Sequence, residues 1–142
     1  MQDRPTADEL LAAVQAFLES DVLPELRGRK QFLARVAANV LAIVRREFAE
    51  EEEALRSEWQ RLAELYPSAG PEPRTLGELR RAVRALTQAL CEEIRTAPRL
   101  DNPRAQSLWQ HVWRTVNDKL RISNPSLLQR LETEGTPVQG KA

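Results

Sequence analysis

Arg35, Asn39 and Arg46 recur at i, i+4 and i+11, so a helix would carry them on one stripe with Ala42 between. Arg27, Arg29 and Lys30 lie just upstream. The stretch "RGRKQFLARVAANVLAIVRREF", from Arg27 to Phe48, holds six Lys or Arg and no acid before Glu47. Guanidinium forks match the paired oxygens of carboxylates and phosphates. The chemistry on offer is therefore anion recognition: an acidic partner surface, or a phosphate-bearing ligand held jointly with a partner. A structural reading stands beside it, in which Asn39 bonds a neighbouring helix and Arg35 pairs with Asp118 or with a Glu of the first helix.

Bond-making chemistry has less to draw on. There is no Gly-rich phosphate loop of the P-loop type and no Gly pair with Rossmann spacing, so neither autonomous nucleotide binding nor independent phosphoryl transfer finds support. His111 is the sole histidine, and a helical wheel sets it nearly opposite Trp109 and Trp113, which predicts a solvent position. Cys91 is the sole cysteine, at the margin of an apolar stripe, where it suits a small partly buried filler. Glu92 and Glu93 are adjacent and point in different directions on a helix, and Glu50 to Glu53 read as the solvated start of one. No catalytic residue, metal site or cofactor is assigned. Trp59, Trp109 and Trp113 fall on apolar stripes and are expected in the core with their indole N–H groups reaching polar partners; the functional alternative has one of them lining a groove for a partner or an acyl chain.

The elements that would position these groups are helices punctuated by the nine prolines. Thr6 and Glu9 have capping-box spacing, and a first helix with Leu10, Val14 and Phe17 on its apolar face should end near Asp21. Gly28 then bends the chain into a second helix starting around Arg29, with Phe32, Leu33, Val36, Val40, Ile43 and Val44 as its core face. Leu55, Trp59, Leu62 and Tyr66 continue the periodicity, but their stripe is rotated by roughly 60° at 100° per residue. No Gly or Pro interrupts Arg29 to Tyr66, so one long helix is open; a break near Glu50 to Glu53 is favoured. "YPSAGPEPRT" reads as a loop. Thr75 and Glu78 repeat the capping box before a helix with Leu79, Val83, Leu86, Leu90 and Ile94 on one face, ending before Pro98. A further helix places Trp109, Val112, Trp113, Val116 and Leu120 together and stops before Pro125. "SLLQRLE" adds a turn or two.

The expected fold is thus all-α: a single-domain bundle of about five helices over residues 1–134, with no strands, and a flexible tail over 135–142. At 142 residues the chain can bury roughly two thirds of its unfolded surface without metal or disulfide. Its 21 basic and 21 acidic residues cancel and its pI is about 6.6. That balance provides no field for nucleic acid or an anionic membrane. No signal-peptide core or membrane span is seen, and a lone cysteine suits a reducing compartment, so the expectation is a soluble cytoplasmic protein.

Three segments, "QDRPTADELLAAVQAFLESDVLPEL", "RVAANVLAIVRREF" and "TVNDKLRISNP", together resemble a bacterial family of small all-helical proteins of unknown function. Members often have a Gly-Pro break where this chain has "AEEEEAL". The family accompanies aminoglycoside-phosphotransferase-like kinases and acyl-CoA dehydrogenase-like proteins. The resemblance implies a small non-catalytic accessory subunit of a 4-hydroxyacyl-CoA kinase in short-chain acid catabolism. It also adds Asp118, Lys119 and Asn124 to the candidate contact residues Arg29, Lys30, Arg35, Asn39 and Arg46, because these polar residues lie in or near the matching segments. The expected partner is such a kinase or dehydrogenase-like protein, reached through the basic helix and a Trp-bearing groove. The alternatives are a stand-alone binder of an acyl-CoA or similar small ligand, and a structural homo-oligomer.

Overall fold

A computed structural model of the chain describes residues 3–96 and 103–133; the expected tail lies outside them. The all-α expectation is met, and among the described residues no strand occurs. The described residues form, in chain order, the α-helices α1 (Ala7–Phe17), α2 (Leu23–Glu25), α3 (Gly28–Leu65), α4 (Leu76–Thr96), α5 (Pro103–Ser123) and α6 (Pro125–Thr133). The chain divides into two compact units, Met1–Glu51 and Glu52–Ala142.

In the first unit, the capping box opens α1: the Thr6 amide donates to Glu9 Oε2 at 2.7 Å and the Glu9 amide to Thr6 Oγ1 at 3.2 Å. The expected stop at Asp21 does not occur. A π-helical segment, Leu18–Val22, carries the chain straight into α2, with the Leu23 amide bonded to the Leu18 carbonyl. Pro24 lacks an amide hydrogen and cannot extend this bonding, and α2 ends at the next residue, Glu25. Leu26 then turns extended, and Gly28, at φ 59°, adopts a left-handed conformation that a side chain would oppose. The Arg27 guanidinium closes the corner on the carbonyls of Pro24 and Leu26, at 2.7 and 2.9 Å.

α3 is one uninterrupted helix, so the break favoured near Glu50 is corrected. Its residues there are Ala, Glu, Leu and Arg, all strong helix formers, and no Gly or Pro intervenes. Glu50 to Glu53 consequently lie in mid-helix rather than at a start, and Glu52 binds Arg56 one turn on at 2.7 Å.

Helix pairing in this unit also departs from the apolar pattern. Arg45 donates to both carboxylate oxygens of Asp8, at 2.7 and 3.2 Å, and to Gln15 Oε1 at 3.2 Å. These bonds fasten α1 to the α3 face that carries the buried Ala38. Leu10, Val14 and Phe17 of α1, and Phe32, Leu33, Val36 and Val40 of α3, expected as core, are exposed instead, Phe32 to 62%. Arg45 lies seven residues after Ala38 and about 160° around the helix from the Val36–Val40 stripe, so its fork turns the apolar stripe outward.

The second unit contains the apolar core: Trp59 and Leu62 of α3, Leu79, Val83 and Leu90 of α4, and Leu108 of α5. The α4 stripe packs as its spacing predicts. After α3, a 3-10 turn (Pro67–Ala69) and Gly70 lead to the second capping box, where the Thr75 amide donates to Glu78 Oε2 at 3.1 Å and the Glu78 amide to Thr75 Oγ1 at 3.3 Å. Backbone hydrogen bonding to Glu78 holds its carboxyl below the usual carboxylate range.

α5 is rotated relative to its expected face. Ala105, Leu108 and His111 are buried, while Trp109 and Val116 are exposed. Charged anchors explain the rotation. Arg104 donates to Glu93 Oε1 and Oε2 at 2.8 and 3.0 Å and to the Leu65 carbonyl at 2.8 Å, and near the other end Asp118 accepts from Arg61 at 2.8 Å. With both anchors turned inward, the Trp109–Trp113 stripe lies roughly 140–180° from them, which leaves Trp109 exposed and Trp113 half-buried.

Candidate functional site

The Arg104 anchor belongs to a three-residue network. Tyr66 donates its hydroxyl to Glu93 Oε2 at 2.5 Å, and the Arg104 guanidinium lies over the Tyr66 ring at 5.1 Å. Arg104 first and Tyr66 second hold the Glu93 carboxyl down to about 2, and burial with the neighbouring carboxylate pushes the Tyr66 hydroxyl up to about 12. Both groups are thus locked in their ordinary neutral-pH forms. The network joins the end of α3 to α4 and α5 and offers no general acid or base near neutrality.

A second polar cluster lies between the α3 and α5 segments of this unit. Arg61 Nη2 meets Asp118 Oδ2 at 2.8 Å with side chains only 14% and 27% exposed, and Arg121 approaches the other Asp118 oxygen at 3.6 Å. Glu58 is buried beside them. Desolvation raises its carboxyl pKa, the positive charges of Lys119 and Arg61 oppose that rise, and Asp118 adds to it. His111, expected in solvent, is 4% exposed, and its Nε2 lies 3.5 Å from Thr115 Oγ1. The α5 rotation carries it inward. Desolvation, with Arg61 and Lys119 nearby, lowers its pKa and keeps the imidazole neutral.

Among the described residues, His111 Nδ1, Arg61 Nε, Trp59 Nε1 and Trp113 Nε1 are buried and find no hydrogen-bond partner. The indole partners expected for Trp59 and Trp113 are therefore not found, whereas the core position of Trp59 is. Cys91 is half-buried, as its place at the stripe margin suggests. Among the described residues no group of three or more His, Cys, Asp or Glu side chains is arranged to hold a metal ion.

The pH consequence of His111 has a definite sign. Its pKa is lower folded than unfolded, so below the ordinary value of 6.5 the unfolded chain takes up the proton first. His111 thus contributes stability above that pH which is lost as pH falls through the folded pKa. Melting temperatures of the natural chain and His111→Gln, measured from pH 8 down to about 5, should diverge: the natural chain loses the His111-dependent part below 6.5 and the variant does not. Parallel profiles would mean that His111 is not buried neutral.

The candidate contact residues fall in two places. Arg29, Lys30, Arg35 and Asn39 are exposed on α3 and Arg46 is half-buried there. The Asp118 carboxylate, expected as one partner for Arg35, is taken by Arg61 and Arg121. Lys119 is exposed at the edge of the polar cluster. Asn124 has a structural task as the cap of α6, its Oδ1 accepting from the Leu127 amide at 3.2 Å and the Ser126 hydroxyl at 3.0 Å. Glu58, Arg61 and His111 were missed. A usable signal was present, because His111 and Asp118 are seven residues apart and share an α5 face with Leu108 and Thr115.

No helix among the described residues is long and apolar enough to cross a membrane. A family model described as "Domain of unknown function (DUF6285)" matches residues 24–127, which include every candidate contact residue. No curated protein and no solved structure matches the chain.

Proposed function

The chain belongs to the DUF6285 family of domains of unknown function, and from that footing we propose that it is a non-catalytic accessory subunit of an acyl-CoA-linked kinase or dehydrogenase system, acting through protein–protein contacts. Its partner is an aminoglycoside-phosphotransferase-like kinase or an acyl-CoA dehydrogenase-like protein, and the chemistry served is hydroxyacyl-CoA phosphorylation in short-chain acid catabolism. One observation carries most of the support. Trp109 is 61% exposed, stacked on Trp113 at 6.3 Å between ring centroids, and followed about two turns later by the exposed Val116. An exposed indole braced on a half-buried one, beside a valine, has the composition of an interface hot spot. Arg35 and Asn39, exposed on α3, supply the basic element that an acidic partner surface would meet.

The buried nitrogens of Trp59, Arg61, His111 and Trp113 that find no partner among the described residues favour a second reading, a binder of a small ligand rich in acceptor oxygens such as an acyl-CoA. Titration with acyl-CoA separates the two. In the leading reading, Trp109→Ala and Arg35→Glu each weaken binding to the isolated partner by about tenfold or more, with helicity unchanged because both side chains are exposed. Unaltered affinity in both variants would remove these surfaces from the proposal.

A further inference from the structure

The outward stripe of α3 has a symmetry that its composition alone does not reveal. Between Arg29 and Glu47, eighteen residues or about five helical turns apart, the stripe consists of Phe32, Leu33, Val36, Val40, Ile43 and Val44, with no charge among them. The first four are exposed, and so are Arg29 and Glu47, which mark its two ends with opposite charge. The pairs Arg29 and Glu47, Phe32 and Val44, Leu33 and Ile43, and Val36 and Val40 are each symmetric about position 38. α1 is bonded through Arg45 to the opposite side of the helix, while Phe32, Leu33, Val36 and Val40 stand exposed and Ile43 and Val44 are half-buried.

We infer that this face takes a second copy of the chain, with the two α3 helices antiparallel about a two-fold axis at the level of Ala38. In that register Arg29 of each copy meets Glu47 of the other, Val36 meets Val40, and Leu33 meets Ile43. Every contact occurs twice, as an isologous interface requires. A parallel arrangement would set Arg29 against Arg29 and Glu47 against Glu47, so the charges select the antiparallel one. Because Arg35 and Asn39 lie on the flank of the stripe, the pairing leaves them at its solvent edge. The inference does not depend on the accessory-subunit reading. A single helix pair of this length lies at the small end of specific interfaces, so its dissociation constant is expected to be on the order of micromolar.

The test is analytical ultracentrifugation of the full chain from about 1 to 100 μM, a range that brackets such an affinity. The expected result is a reversible rise from the 16.2 kDa monomer toward twice that mass. Val36→Glu and Arg29→Glu should each hold the chain monomeric, with circular dichroism unchanged since both positions are exposed. The double exchange Arg29→Glu with Glu47→Arg should restore the dimer, because each reversed pair again meets its opposite. A monomer at the highest concentration overturns the inference and leaves the stripe to a different protein. A dimer indifferent to Arg29→Glu, an exchange that fails to restore it, or an open series of larger species overturns the two-fold register.

Discussion

Truncating Leu79 to Ala is expected to cost about 2–5 kcal/mol of folding free energy. Leu79 is fully buried on α4 within the core cluster that also holds Trp59, Leu62, Val83, Leu90 and Leu108, so the lost methyl groups leave a cavity in packed surroundings that collapse only in part. Against a typical total of roughly 5–15 kcal/mol, such a loss lowers the denaturation midpoint by a large fraction. Urea unfolding measures it directly. Leu10→Ala serves as the contrast, since Leu10 is exposed on α1 and its truncation should stay within about 0.5 kcal/mol. Equal losses at the two sites would mean that the second unit does not hold the core.

The second large effect is expected at Asp118. Its carboxylate neutralises Arg61, whose side chain is 14% exposed, so Asp118→Ala strands a mostly buried guanidinium. Orphaning a fully buried partner costs roughly 3–5 kcal/mol, and the partial exposure here reduces the expectation to about 2–3. Glu58 limits the damage, because its buried carboxylate stands near Arg61 and would be driven further toward its charged form. The double variant Asp118→Ala, Arg61→Met should recover most of the loss, since it removes both charges. Wild-type stability in Asp118→Ala would show that the residue is a contact residue and not an anchor of α5.

These two sites illustrate how much of the fold was legible in the sequence. The capping boxes at Thr6 and Thr75 and the α4 stripe were readable because each is a local pattern that no distant residue alters. The faces of α1, α3 and α5 were not. On each of these helices the apolar stripe gives one rotation, and a long-range ion pair imposes another: Arg45 to Asp8 across 37 residues, and Arg61 to Asp118 across 57. Which carboxylate meets which guanidinium is a tertiary fact, invisible to periodicity. The same cause explains His111, which moved from an expected surface position into the buried cluster when α5 turned toward Arg61 and Glu93. Of the basic residues of α3 and Asn39 beside them, Arg29, Lys30, Arg35 and Asn39 are exposed and Arg46 is half-buried.

The accessory-subunit proposal makes the partner the central question, and co-purification addresses it most directly. The tagged full chain is recovered from a native lysate in which the phosphotransferase-like kinase and the acyl-CoA dehydrogenase-like protein are both expressed, and the bound proteins are identified by mass spectrometry. The expected result is that one of these two enzymes accompanies the natural chain and is lost from Trp109→Ala or Arg35→Glu. Recovery of the chain without either enzyme would contradict the proposal.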